Sequence, residues 1–306
     1  MSPERISRRK LLVAGAIGGV AIVAGTGGYE LIERGDLPGR YALDRLTGAC
    51  DVGEPDYPGV VPGPVVSGRF YSQYRQREVG WSIAFPNGYR PDDELPAVFV
   101  LHGLGGNHST AFTDLKLQYA LSSRIDGRRM PPAALVSVDG GDGYWLPHLG
   151  DDPHGLLVYE LLPFCQHRGL ARKTGTLGVY GWSMGGYGAL LFAEGYKGMV
   201  GAVVAESPAL FGGYFDAHEV APQAFASPAD YYGNDVISRI GRLVDIPVKI
   251  DIGKDDPYAS LVGTLRGLPL PWMQIHIDPG CHDDNFWRSH GPSAMEFLTT
   301  RIGGKG

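Results

Sequence analysis

The sequence predicts an α/β fold in which helices cover both faces of a mostly parallel central sheet. Short apolar runs alternate with stretches of helical character through most of the chain, which is typical of a wound sheet. The runs are continuously apolar, as expected of strands that are buried on both faces. We predict these strands at Pro96–Leu101, Ala133–Val138, Thr176–Gly181, Val200–Ala205, Ile246–Ile252 and Trp272–Ile277.

An antiparallel pair is predicted to open the sheet. Val65–Ser72 and Glu78–Phe85 have strand character, the polar residues Gln73–Arg77 separate them, and the turn Pro86-Asn87-Gly88 ends the pair. Helices are predicted between the later strands, at Ala111–Ile125, Gly155–His167, Met184–Glu194, Ala229–Leu243, Tyr258–Leu268 and Asn285–Ile302.

Length and composition favour one globular domain, which we place at residues 65–302. The chain has 306 residues, of which 43% are hydrophobic, enough for one large core. The net charge of -6 gives no support to a nucleic-acid partner. Residues 26–64 are rich in glycine and proline, with weak periodicity, and are predicted to be a linker.

The first 25 residues are predicted to be a targeting segment. Basic residues including Arg8 and Arg9 precede the uncharged run Leu11–Ala24, which is shorter than the ~20 residues of a spanning helix. Ser7-Arg8-Arg9-Lys10-Leu11 resembles a twin-arginine export signal. We therefore expect an exported bacterial protein, secreted or in the cell envelope. Both cleavage near Ala21–Gly25 and retention as an anchor stay open.

The three cysteines, Cys50, Cys165 and Cys281, are too few for a disulfide framework and lack the spacing of a metal site. One disulfide is compatible with export, and the sequence does not choose the pair.

The motif Gly181-Trp182-Ser183-Met184-Gly185 lies where a predicted strand ends and a helix begins. In that context G-x-S-x-G forms a sharp turn that exposes the serine hydroxyl above the sheet. Glycines are required because the turn is strained and brings neighbouring backbones close together. Ser183 is therefore the predicted nucleophile.

A serine hydroxyl needs a base to take its proton, and the base needs a carboxylate to orient it. The order serine, acid, histidine leaves His276, His282 and His290 as candidates. We predict His282, because it alone lies in a loop between a strand and a helix, and we assign structural roles to the other two.

The turn Gly253-Lys254-Asp255-Asp256-Pro257 follows a predicted strand and supplies the acid. Both Asp255 and Asp256 are candidates, since one can cap the following helix while the other serves the histidine.

The oxyanion of the reaction requires two backbone N–H donors. We predict Met184, after the nucleophile, and Leu104 in the loop that follows the strand ending at Leu101. His102 is expected to shape that loop. Two further stretches, Gly140–Asp152 and Ser207–Tyr232, are expected to form the pocket and its lid. Within them the predicted substrate-binding residues are Trp145, His148 and Phe215.

Four segments together resemble the esterase D-like branch of the α/β-hydrolases, which includes carboxylesterases, S-formylglutathione hydrolases and mycolyltransferases. They are His102–Gly106, Gly181–Ala189, Gly253–Pro257 and His282 with Phe286-Trp287. The resemblance covers about residues 65–302 and implies the α/β-hydrolase fold, an eight-stranded sheet, a Ser-Asp-His triad, and no metal or organic cofactor. It also implies Asp256 as the acid and Leu104 and Met184 as oxyanion donors.

We therefore predict an exported serine esterase that acts on a small-molecule or lipid ester, with association to the cell envelope left open. An acyltransferase with the same triad is the first alternative, although the mycolyltransferases carry Glu as the acid. A cell-wall binding protein on an inactive scaffold is the second. The charged residues of Ser207–Tyr232 favour a small, polar pocket and short acyl chains.

Overall fold

The computed structural model describes residues 50–53, 55, 57–172 and 177–303, and it confirms the predicted α/β fold. One sheet of eight strands has the order β1-β2-β4-β3-β5-β6-β7-β8. Its antiparallel pairings are those of β2 with β1 and β4, and its other pairings are parallel. The strands are β1 (Val65–Ser72), β2 (Arg77–Ala84), β3 (Ala97–Leu101), β4 (Ala134–Val138), β5 (Leu177–Trp182), β6 (Val200–Glu206), β7 (Val248–Gly253) and β8 (Met273–Asp278).

The burial of each strand follows its place in the sheet. Strands β3, β4, β5 and β7 are buried at every position. Burial on both faces explains the mainly apolar sequences of β3, β4 and β5, whereas β7 also carries the buried ion pair of Lys249 and Asp251. The edge strands β1 and β8 alternate between more and less exposed positions. The strand predictions hold to within two residues at each end, except that Thr176 lies outside the described residues.

Helices lie between these strands and, in the case of α10, after the last one. They are α1 (Thr110–Thr113), α2 (Leu117–Ser122), α3 (Pro153–Gly155), α4 (Leu162–His167), α5 (Met184–Gly195), α6 (Tyr214–Val220), α7 (Pro228–Asn234), α8 (Val236–Arg239), α9 (Ala259–Arg266) and α10 (Asp284–Ile302). A π-helical segment, Leu156–Leu161, joins α3 to α4, and a 3₁₀ segment, Ile240–Leu243, follows α8. Helix α5 belongs to the core on one face of the sheet, and α2 and α10 belong to the core on the other face.

Two of the helix predictions were wrong because local backbone geometry interrupts them. Ala111–Ile125 is two short helices, separated at Lys116, whose φ of 53° is left-handed, and Arg124–Ile125 pairs as a strand with Arg128–Arg129. Ala229–Leu243 is interrupted at Asp235, where the side chain accepts the Ile237 N–H at 3.0 Å and starts a new helix.

The end of the predicted linker packs against the domain. Cys50 forms a disulfide with Cys281, and the ring of Tyr57 stacks on Tyr119 of α2 with centroids 5.9 Å apart. The predicted targeting segment, residues 1–25, and linker residues 26–49 lie outside the described residues. In the part of the chain that is described, no helix combines the length and the apolar character needed to cross a membrane.

Candidate active site

Ser183 occupies a strained turn between β5 and α5. Its φ of 54° and ψ of -121° lie in a region that non-glycine residues rarely adopt. The flanking glycines allow this turn: a β-carbon on Gly181 would overlap the carbonyl of Gly185, and one on Gly185 would overlap the carbonyl of Leu101. The Ser183 N–H donates to the carbonyl of Glu206 at 2.9 Å, which ties the turn to the end of β6.

The predicted serine, histidine and aspartate lie in one hydrogen-bonded chain. Ser183 Oγ is 2.8 Å from His282 Nε2, and His282 Nδ1 is 2.8 Å from Asp256 Oδ2. Since a carboxylate only accepts, Nδ1–H donates to Asp256 and Nε2 accepts the serine hydroxyl. The Asp256 side chain is fully buried, whereas that of His282 is 19% exposed. The other oxygen of Asp256 accepts the N–H of Tyr258 at 2.9 Å.

Two loops at the carboxyl edge of the sheet carry the histidine and the acid. Asp256 lies in the turn after β7, and His282 lies in the loop after β8. The Asp255 N–H donates to the carbonyl of Gly280 at 3.0 Å, so the two loops are joined directly. The carboxylate of Asp255 lies 3.7 Å from Lys254 Nζ, whereas that of Asp256 contacts His282.

The two remaining late histidines have other partners. His276 Nδ1 contacts the buried carboxylate of Asp251 at 2.8 Å. His290, on α10, donates through Nδ1 to the carbonyl of Phe286 at 2.9 Å and lies 3.2 Å from Asp278. Both positions agree with the structural roles predicted for them.

Sequence reasoning missed the aromatic residues around His282. Its ring packs edge-on against Tyr258 and Trp287, with centroids 5.4 Å and 5.1 Å away. Tyr258 follows the turn that carries Asp256, and Trp287 follows the loop that carries His282, so closeness in the sequence was the available signal. Trp287 was named only as part of the family resemblance, without a role. These rings limit the movement of the imidazole.

The predicted oxyanion donors belong to two segments that lie close to Ser183. Met184 is the first residue of α5, where a backbone N–H has no partner within the helix. Leu104 follows Gly103, where an added β-carbon would lie 3.4 Å from Ser183 Cβ. In the described part of the chain, no group accepts the Leu104 N–H. Both donors are thus placed near Ser183.

His102 shapes the Leu104 loop, as predicted. Its Nδ1–H donates to the carbonyl of Gly103 at 2.8 Å, and its Nε2 accepts the N–H of Gly140 at 2.9 Å. These bonds require the neutral ring. Burial, the largest cause, lowers the pKa of His102 and favours that form.

Two carboxylates that follow β4 hold the same loop, and the sequence analysis did not identify them. Asp142 accepts the N–H of Gly105 at 2.8 Å, and Asp139 accepts the N–H of His108 at 2.8 Å. Their position just after a strand on the catalytic edge was the available signal.

The three predicted substrate-binding residues are placed differently. Trp145 is buried with no exposed surface, and its indole N–H donates to the carbonyl of His102 at 3.2 Å. The prediction that Trp145 contacts the substrate was therefore wrong. Its large apolar ring fills the core against α5 and supports the Leu104 loop from beneath. His148 is half-buried and bridges to Asp151 through its backbone, while Phe215 is 82% exposed on α6.

Three of the aromatic residues in the predicted lid point inward. Phe211, Phe225 and Tyr231 are buried, and Phe211 and Phe225 pack around Tyr144, whose φ is 55°. Burial raises the pKa of both Tyr144 and Tyr258. These three rings therefore form part of the core, whereas Phe215 and Tyr232 of the same segment are mostly exposed.

The described residues contain no cluster of three or more His, Cys, Asp or Glu side chains placed to hold a metal ion.

Comparisons with known proteins identify the family and the fold. Residues 72–298 match the family described as Esterase. No curated protein sequence matches the chain.

Solved structures share the fold at low identity. A ferulic acid esterase has 16% identity and a TM-score of 0.67, and the match covers 79% of this chain and 100% of that one. An S-formylglutathione hydrolase from Agrobacterium tumefaciens has 17% identity and a TM-score of 0.66, with coverage of 82% and 99%. MPT51 (FbpC1) from Mycobacterium tuberculosis has 14% identity and a TM-score of 0.62, with coverage of 78% and 99%. The predicted resemblance is confirmed by the family match, and the fold by these structures.

Proposed function

We propose that this chain, a carboxylic ester hydrolase that belongs to the Esterase family, uses Ser183 as nucleophile, His282 as general base and Asp256 as the acid that orients the histidine. The observation that carries the proposal is the continuous hydrogen-bonded chain from Ser183 Oγ through His282 to Asp256, with both contacts at 2.8 Å. The strained turn at Ser183 supports it, because such strain persists where function requires it.

In the acylation step, Ser183 Oγ attacks the carbonyl carbon of the ester while His282 Nε2 takes its proton. The buried carboxylate of Asp256 stabilises the imidazolium that forms. His282 then gives the proton to the departing alcohol, which leaves the acyl group bonded to Ser183. Water attacks that ester in the second half of the reaction, with His282 again as the base.

In the tetrahedral intermediate, the former carbonyl oxygen of the ester carries a negative charge. The N–H groups of Leu104 and Met184 donate hydrogen bonds to this oxygen. The Met184 N–H lies at the start of α5, where the helix dipole adds positive potential. The bonds from Asp139, Asp142 and His102 keep the Leu104 loop in position before the substrate arrives.

The substrates proposed are esters of short acyl chains, of about two to six carbons. The segment Ser207–Tyr232 supports this assignment, because its Phe211, Phe225 and Tyr231 side chains face the core and so do not line a groove for an extended chain. A panel of p-nitrophenyl esters tests it. Faster turnover of long chains than of short ones would contradict it.

Export through the segment of residues 1–25 is part of the proposal. The paired Arg8-Arg9 supports it, and so does the Cys50–Cys281 disulfide, since such bonds persist in oxidising compartments. Replacing Arg8 and Arg9 by lysine should keep the protein in the cytoplasm of a host that has the twin-arginine route. Unchanged export of this variant would exclude that route.

The nucleophile is tested with Ser183→Ala. We expect this variant to fold, to lose ester hydrolysis, and to lose covalent labelling by a fluorophosphonate probe. Intact-mass measurement of the labelled wild type should show one adduct, which peptide mapping places on Ser183. A variant that keeps more than a few per cent of the activity would exclude Ser183, and an unlabelled wild type would favour a binding protein.

Hydrolysis and acyl transfer share the same first half-reaction, so product analysis separates them. With glycerol or trehalose present, mass spectrometry should find mainly free acid. A product dominated by acylated sugar would identify a transferase.

A further inference from the structure

A disulfide bond joins the segment that precedes the domain to the residue next to His282. Cys50 and Cys281 form a disulfide that links positions 231 residues apart in the sequence. Both cysteines are buried, and Cys281 is the residue immediately before His282. A link at this place acts on the backbone that carries the proposed base.

The same segment also packs against the loop that carries His282. Gly280 has a φ of +140°, and a β-carbon there would lie 2.5 Å from the Phe286 ring and 3.0 Å from Val52 Cγ1. Val52 therefore closes one side of the loop and Phe286 closes another. The loop has little room to move while the segment stays in place.

A movement of this loop would also reach the acid. The carbonyl of Gly280 accepts the Asp255 N–H at 3.0 Å, one residue before Asp256. Gly253 packs so closely on Gly280 that a β-carbon there would overlap the Gly280 carbonyl. The base and the acid thus depend on the position of the same peptide.

The segment is itself anchored, so the disulfide links the loop to a fixed point. Tyr57 stacks on Tyr119 of α2 at 5.9 Å between centroids, and its hydroxyl lies 4.0 Å from where a β-carbon on Gly291 of α10 would be. These contacts hold the segment over the helices that cover one face of the sheet.

We propose that the Cys50–Cys281 disulfide is a positioning element for His282, so that the esterase reaches full activity only when these two cysteines are oxidised. The inference rests on the proposed function of His282. Reduction by a dithiol transfers two electrons and two protons to the disulfide, which gives two thiols and the cyclic disulfide of the reductant. The released loop then holds His282 less accurately against Ser183, and a displacement of this kind lowers turnover.

The test compares Cys50→Ala with Cys165→Ala, its matched control. Cys165 is buried but is not part of a disulfide. We expect Cys50→Ala to lower kcat for p-nitrophenyl acetate by about 10- to 100-fold, while KM changes by less than about threefold. Cys165→Ala should keep the wild-type kcat. Dithiothreitol should lower kcat of the folded wild type, and reoxidation should restore it.

A loss of stability alone has a different signature. If Cys50→Ala lowers Tm but keeps the wild-type kcat well below Tm, the disulfide serves stability and the inference fails. Should Cys50→Ala not fold, the wild type treated with dithiothreitol under conditions where it stays folded decides the question, because this treatment removes only the disulfide. An unchanged kcat of that reduced, folded protein would overturn the inference.

Failure of the proposed function is recognised separately. In that case the oxidised wild type itself neither hydrolyses the ester nor reacts with the fluorophosphonate probe. An active wild type with a fully active, folded reduced form would refute only the positioning role of the disulfide.

Discussion

On one side of Ser183, the loop that carries His282 is held by a disulfide to the N-terminal segment, whereas on the other side the loop that carries Leu104 is held by hydrogen bonds. The first loop is linked through Cys281 and packed against Val52. The second donates to Asp142 through the Gly105 N–H, and its His102 accepts the N–H of Gly140. Both loops flank the same hydroxyl, yet they are stabilised by different chemistry.

This difference determines which conditions disturb each loop. A disulfide is insensitive to salt and mild acid but is broken by reductants. The Leu104 loop depends on a neutral His102, so it resists reductants and is weakened when the ring takes up a proton. Variants in each loop should therefore reveal the dependence on reductants and the dependence on acid separately.

The largest effect is expected on the disulfide-linked side, at His282 itself. His282→Ala should lower kcat by about 10⁶-fold, because members of a triad act as one unit. His276→Ala and His290→Ala should stay within about threefold of the wild type, since their partners are Asp251 and Asp278. Steady-state rates on p-nitrophenyl acetate measure this, and a comparable loss in either control would reassign the base.

The next largest loss of kcat on the disulfide-linked side is expected at the proposed acid, Asp256. Asp256→Asn should lower kcat by about 10⁴-fold, because an amide favours the wrong tautomer of His282. Asp255→Asn is the matched control and should have a much smaller effect, since its carboxylate lies beside Lys254. Should the two variants exchange these outcomes, Asp255 would be the acid.

On the hydrogen-bonded side, Asp142→Ala should lower kcat by about tenfold with little change in KM. The variant removes the bond to the Gly105 N–H and loosens the loop, but it leaves the Leu104 donor in the chain, so the loss stays below the 10²–10³-fold of a deleted donor. Asp92→Ala, at an exposed position before β3, is the control. Equal kcat values for the two variants would show that Asp142 does not support catalysis.

Substitution of His154, in the connection that follows β4, should have the smallest effect on activity. It should have a measurable effect on stability. Burial lowers the pKa of His154 to about 4. The unfolded chain binds a proton near pH 6.5 and the folded chain does not, so stability falls as the pH decreases from 6.5 to 4, by about 3 kcal/mol for this group.

Denaturant unfolding at several pH values measures this dependence. His154→Gln should be less sensitive to acid than the wild type, and His167→Gln, at an exposed position, should match the wild type. An unchanged pH dependence in His154→Gln would show that this histidine is not responsible.

The sequence by itself determined the features that depend on neighbouring residues. The strand before Ser183 and the glycines around it predicted the turn, because only glycine permits the close backbone contacts seen at Gly181 and Gly185. Continuous apolar runs predicted the central strands, because a strand covered on both faces has no exposed side. The loop position of His282 similarly separated it from His276 and His290.

Only the tertiary structure decided the features that depend on residues far apart in the chain. It paired Cys281 with Cys50 and left Cys165 free, a choice set by the path of the segment over the domain. It placed Trp145 in the core beneath the Leu104 loop, where its position in the loop after a strand had suggested a substrate contact. It also brought Asp142 to Gly105 across two neighbouring strands. Such contacts arise when the sheet assembles and its loops pack together, so the sequence does not show which distant residues will meet.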